Sequence, residues 1–133
     1  MSIEENKRLV SQFVSSLMAN MDESLLSENV EWWLMGIGTF SLAQIKEVIG
    51  RFPYDPENPI VVHVDHITAE GDQVAVSARG SGRLLDGRDY ANTYSYLFFV
   101  RDGKITKILE YYDSFYARSM LPGGSIAREV AGA

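Results

Sequence analysis

The sequence predicts an α+β domain in which helices pack on one face of a curved, mostly antiparallel sheet. Two observations carry that class. Residues 1–51 place apolar side chains at helical spacing behind two capping boxes, and from residue 60 the period switches to alternation broken by tight-turn residues.

Ser2 with Glu5 forms the first capping box, and Leu9, Val10, Phe13, Val14, Leu17 and Met18 follow at helical spacing, which predicts an amphipathic helix over 3–19. A short helix is expected over 22–26, and the aromatic run VEWWLM at 30–35 reads as a strand. Gly36 and Gly38 open a loop. Ser41 with Gln44 repeats the capping logic, so Leu42, Ile45, Val48 and Ile49 predict a helix ending near Arg51. Pro53, Pro56 and Pro59 make the next segment a connector. Four β-type runs follow: IVVHVDHIT, QVAVSARGSGRL, DYANTYSYLFFV and KITKILEYY. The turns AEGD, LDGR and RDGK between them favour tight reversals, so the runs form an antiparallel meander. SFYARSML predicts a last short helix with Asp113 as its cap, and residues 122–133 read as a tail.

A chain of 133 residues is enough for one domain with one core, and it is read as a single domain over 1–133 with its core at 4–121. The net charge of −6 and the scattered basic residues argue against nucleic-acid binding and against anionic membrane surfaces. No cysteine is present, which removes disulfides and thiolate chemistry and fits a reducing compartment. The acidic, polar start and the lack of a long apolar run lead to the expectation of a soluble, cytoplasmic protein.

One short strand sets the functional question. In KITKILEYY, Thr106, Ile108, Glu110 and Tyr112 share a face with period two. An ionised carboxylate is costly to bury without a partner, so Glu110 must be paired, protonated or facing a wet cavity. Tyr90, Asn92, Tyr94, Tyr96 and Phe98 share a face of the long preceding strand, and Ser77, Arg79 and Ser81 share one on the strand before that. Three neighbouring strands with polar residues on one face suggest a common cavity wall between sheet and helices. Two readings of Glu110 stand: a general acid or base with its pKa raised by apolar surroundings, or an ion pair with Arg79 across the sheet. Arg79 itself reads as a charge partner or a rim residue.

His63 and His66, three apart on a strand, are expected on opposite faces, so no shared metal is expected, and His63 is the candidate for the cavity wall. Trp32 and Trp33 likewise point opposite ways, one to the core or pocket. No phosphate loop, nucleophile elbow or metal motif is present, and no cofactor is expected.

The phrases NVEWWLMG, AEGDQVAV, DGRDYANTYSYLFFVRDGKI and EYYDS, in this order, resemble the SnoaL-like branch of the nuclear transport factor 2-like superfamily. That superfamily includes ketosteroid isomerase and limonene epoxide hydrolase. The resemblance covers residues 4–121. It implies a cone-shaped fold, a deep pocket for a hydrophobic small molecule and a homodimer through the convex sheet face.

The resemblance places Trp32 where the isomerases carry their aspartate base, and Tyr96 where they carry an oxyanion-hole aspartate. Glu110 matches the last acid of the epoxide hydrolases. Ser77 stands at their arginine position and Arg79 at their first aspartate, so that triad is not reproduced. Asn92 and Tyr94 fall at pocket-lining positions. The implied activity is cofactor-independent proton transfer, as in an isomerase, dehydratase, cyclase or epoxide hydrolase. Glu110 and Arg79 are the catalytic candidates, and Trp32, His63, Ser77, Asn92, Tyr94, Tyr96, Ile108 and Tyr112 the substrate-binding ones. The alternative is a pocket that binds without turnover.

Overall fold

The computed structural model describes residues 2–121 and 125–132. Helix α1 (Ile3–Ser16) is followed by a single 3-10 turn (Glu23–Leu25), strands β1 (Leu26–Leu34) and β2 (Gly38–Phe40), and helix α2 (Leu42–Gly50). Strands β3 (Val61–Glu70), β4 (Gln73–Arg83), β5 (Asp89–Arg101) and β6 (Lys104–Tyr112) come next, then helices α3 (Ser114–Met120) and α4 (Ile126–Gly132). Both capping boxes form, Ser2 with Glu5 and Ser41 with Gln44, and Asp113 caps α3 by accepting from the Tyr116 amide at 3.0 Å.

The six strands lie in the order β2-β1-β6-β5-β4-β3. β3 to β6 form the expected antiparallel meander, while β1 adds parallel to β6 and makes the sheet mixed. The β5–β6 reversal puts both Asp102 (φ 51°) and Gly103 (φ 74°) at positive φ, the backbone that a two-residue hairpin twisting with its strands requires. β2 was not expected. It spans three residues, too few for a period to show, in a segment that reads as a glycine loop.

Helix α1 lays Val10, Phe13, Val14 and Leu17 on the concave side of the sheet. The Phe13 ring sits 5.9 Å from Trp32 and 6.1 Å from Phe98, edge-on to the latter. Losing such a fully buried ring costs about 3–5 kcal/mol.

Two register features correct the expected cavity wall. Gly80 pairs with Asn92 and Ala78 with Tyr94, so Val76, Ala78 and Gly80 face inward with the tyrosines. Ser77 and Arg79 pair with Ser95 and Thr93 on the convex face, outside the pocket. The inward set of β4 is small and apolar for a reason: a Cβ at Gly80 would stand 3.0 Å from the Tyr94 ring, which lies over it. Secondly, the β3–β4 pairing shifts between Val64 and His66. The extra residue, Asp65, changes the phase of the strand. His63 then pairs with Arg79 and His66 with Ser77, so both histidines sit on the convex face, exposed, and not on opposite faces.

Of the tail, residues 122–124 and 133 lie outside the described residues. Residues 126–132 form α4, which buries Ala127 and Val130 and packs on α2. An Arg51–Glu129 ion pair joins these two helices. Among the described residues no helix is long and apolar enough to cross a membrane.

Candidate functional site

Alternation along β6 turns Glu110 toward the helices, and the register sets its neighbours. Parallel pairing puts Leu34 of β1 on one side, and antiparallel pairing puts Tyr96 of β5 on the other. Trp32, two residues before Leu34, points the same way. Its indole Nε1 donates to Glu110 Oε1 at 2.9 Å.

These side chains floor a cavity of about 190 Å³ between the sheet and the helices. Tyr94, Tyr96 and Tyr112 continue the floor, Leu17, Ile45, Val48 and Ile49 form the helical wall, and Gly36, Arg118 and Arg128, which line the cavity yet are exposed, mark its mouth beside Ile37 and Ile126. The lining is predominantly apolar, so Glu110 is the single carboxylate among the described residues that line it.

Burial pushes the Glu110 carboxyl up to about 7, and the Trp32 N–H, which favours the charged form, only partly opposes this. No Lys, Arg or His forms a salt bridge with it among the described residues. Tyr94, Tyr96 and Tyr112 are pushed up as well, first by burial, with the nearby Glu110 charge adding to it (at Tyr94 after that of Tyr90), so all three phenols keep their protons. Tyr94 and Tyr96 stack with ring centres 5.8 Å apart. The result is an acid that titrates near neutrality among neutral hydrogen-bonding hydroxyls.

Such a carboxyl can take or give a proton close to its own pKa, and preorganised phenols can stabilise charge developing on an oxygen.

Asn92 lines the cavity, but its polar atoms are already engaged. Nδ2 donates to the Tyr90 hydroxyl at 3.1 Å and the Asp113 carbonyl at 3.2 Å, and Oδ1 accepts from the Thr93 amide at 2.7 Å. It ties β5 to the start of α3.

Of the residues singled out from the sequence, Trp32, Asn92, Tyr94, Tyr96, Glu110 and Tyr112 meet in this cavity. Ile108 points the same way but is sealed in the core between Trp32 and Phe98. His63, Ser77 and Arg79 stand on the other side of the sheet. The Arg79–Glu110 ion pair does not exist: Arg79 forks onto Asp65, with Nε at 3.0 and 2.9 Å from the two oxygens and Nη2 at 2.8 Å.

Missed from the sequence were the helical wall and the mouth residues of α3 and α4. The wall was readable as the inward stripe of α2. For α4, the spacing of Ile126, Ala127 and Val130 was the available signal.

A family model described as "SnoaL-like domain" matches residues 10–108. No curated protein matches the chain in sequence. Among solved structures it is similar to AclR, a candidate hydroxylase from Streptomyces galilaeus (17% identity, 84% of this chain and 81% of that one, TM-score 0.73). It is also similar to a candidate SnoaL-like polyketide cyclase from Jannaschia sp. CCS1 (20% identity, 92% and 97%, TM-score 0.70). A third is an LEH-like epoxide hydrolase from M. tuberculosis (18% identity, 85% and 86%, TM-score 0.67). At these identities the likeness speaks for the fold.

Proposed function

We propose that this chain, which belongs to the SnoaL-like domain family, is an enzyme that moves a proton on a compact, largely apolar molecule, with Glu110 as the acid or base. The observation that carries the reading is Glu110 itself: a carboxyl in an apolar pocket, held by an indole N–H and, among the described residues, not neutralised by a cation. Structural carboxylates of this kind are normally paired. An acid whose pKa lies near the operating pH is what general acid–base catalysis uses.

The roles follow from position. Glu110 takes a proton from carbon or water, or gives one to a leaving oxygen. Trp32 fixes the carboxyl's orientation through Oε1 and leaves Oε2 for the substrate. Tyr94, Tyr96 or Tyr112 donates to the substrate oxygen as charge builds there. The apolar helical wall excludes water, which strengthens each of these interactions. Arg79 has no part, because it lies across the sheet. The candidate polyketide cyclase, candidate hydroxylase and LEH-like epoxide hydrolase named among the similar folds are consistent with an enzyme of this kind.

A test needs no named substrate. Compact cyclic ketones in deuterium oxide report proton abstraction as exchange next to the carbonyl. The reading predicts exchange above buffer for some of them, lost about 10²–10⁴-fold in Glu110→Gln with ligand affinity retained. Equal loss of binding and exchange would count against a catalytic role and favour a binding protein.

The homodimer through the convex face belongs to the same proposal. Trp33 packs on the exposed Tyr111 there, ring centres 5.3 Å apart, and a concentration-dependent mass by light scattering is the check.

A further inference from the structure

Two cations flank the mouth of this otherwise apolar cavity. Arg118, in the last turn of α3, and Arg128, in the first turn of α4, both line it. Neither guanidinium has a carboxylate within 4.0 Å among the described residues. In a chain of net charge −6, with 18 acidic side chains available, two uncompensated arginines at one opening run against the overall balance.

Their placement is not explained by the helices alone. Arg118 suits the C-terminal end of α3, where a cation meets the carbonyl end of the helix dipole. Arg128 does not, because it follows the Ser125 cap at the N-terminal end of α4, where a positive charge is disfavoured. One protein contact accounts for part of Arg128: Nη2 donates to the Gly36 carbonyl at 3.2 Å, and among the described residues its other side-chain donors have no partner. Glu129, the nearest acid along α4, is already paired with Arg51. The two charges also converge. Each acts to lower the pKa of Tyr112, whose ring lines the cavity, against the upward push of burial.

We infer that the molecule this pocket takes is an amphipathic acid: an apolar body against Trp32, Tyr94 and the helical wall, and an anionic group, a carboxylate or enolate, held between Arg118 and Arg128 at the mouth. This rests on the small-molecule reading above and sharpens it. A guanidinium matches a planar carboxylate through two parallel hydrogen bonds, which a neutral oxygen cannot use as well. With its charge anchored at the rim, the ligand is oriented so that its apolar end reaches Glu110 at the floor.

The test compares 2-naphthoate with its neutral counterpart 2-naphthamide by calorimetry at low ionic strength. About pH 6 suits it, because Glu110 is then largely protonated and does not repel the acid. The wild-type protein is expected to bind naphthoate about tenfold more tightly than naphthamide. In Arg118→Gln/Arg128→Gln the amide should bind as before and the preference should vanish. Should the double variant also weaken the amide, Arg118→Gln alone decides, and there the preference must fall several-fold with amide affinity kept. Equal affinities in the wild type, or a preference that survives both substitutions, overturns the inference and leaves the pocket reading standing. Failure of both probes to bind overturns the two together.

Discussion

Trp32 and Glu110 stand 78 positions apart in the chain, yet the indole Nε1 of one donates to the carboxyl of the other at 2.9 Å. Parallel pairing of β1 with β6 brings them together, and both look into the same apolar cavity. The carboxyl therefore has a hydrogen-bond donor but no counter-charge among the described residues. Burial prevails, and the pKa rises to about 7.

That imbalance has a cost in stability that depends on pH. The folded protein holds the Glu110 proton more tightly than the unfolded chain, so stability is highest below the ordinary value of 4.5 and falls as pH rises to about 7. The displacement corresponds to about 3 kcal/mol at most. Glu110→Gln removes this dependence: denaturant unfolding should show the variant more stable than the parent by a few kcal/mol at about pH 8 and nearly equal at about pH 4. A variant less stable at the higher pH would mean that a cation partners the carboxylate.

Trp32→Phe tests the donor. Its N–H is the interaction that holds the Glu110 pKa down, so without it the pKa climbs further. The window over which stability declines should extend to higher pH at its upper end, its lower end staying at the ordinary value of 4.5. The smaller ring also leaves space beside Phe13, for a cost of about 1–3 kcal/mol. An unchanged upper end would show that the indole does not solvate the carboxylate.

Gly80→Ala tests the floor. The new methyl group would lie 3.0 Å from Cε2 and 3.3 Å from the hydroxyl of Tyr94, and 3.4 Å from Ile60. Overpacking of this kind costs about 1–3 kcal/mol. Because the easiest relief is a shift of the Tyr94 ring into the cavity, the melting temperature and the affinity for 2-naphthamide should fall together.

Much of this was legible in the sequence, and what was not has a physical reason. The capping boxes at Ser2 and Ser41 and the turn residues Asp102 and Gly103 act locally, so they could be read locally. Glu110 was visible as a carboxylate inside an apolar alternation. The face of β4 was not, because Ser77 and Arg79 look more functional than Val76, Ala78 and Gly80, and only the pairing with β5 decides between them. The irregularity at Asp65 defeated the period-two reading of His63 and His66. The Trp32 contact depends on strand order, which a single strand's residues do not encode.

Arg79→Gln checks that correction. Its carboxylate partner Asp65 is on the convex face, so the substitution should leave naphthamide affinity and the decline of stability toward about pH 7 unchanged, altering only the acid side, where Asp65 loses the partner that lowers its pKa. A changed decline toward neutral pH would place Arg79 in contact with the site after all.

The most direct measurement is a carbon-13 NMR titration of the side-chain carboxyls, with Glu110 assigned from its absence in Glu110→Gln. The account predicts a midpoint at about 7 for Glu110. A midpoint at or below 4.5, the ordinary value, would contradict it, since the carboxyl would then be ionised and well solvated or paired.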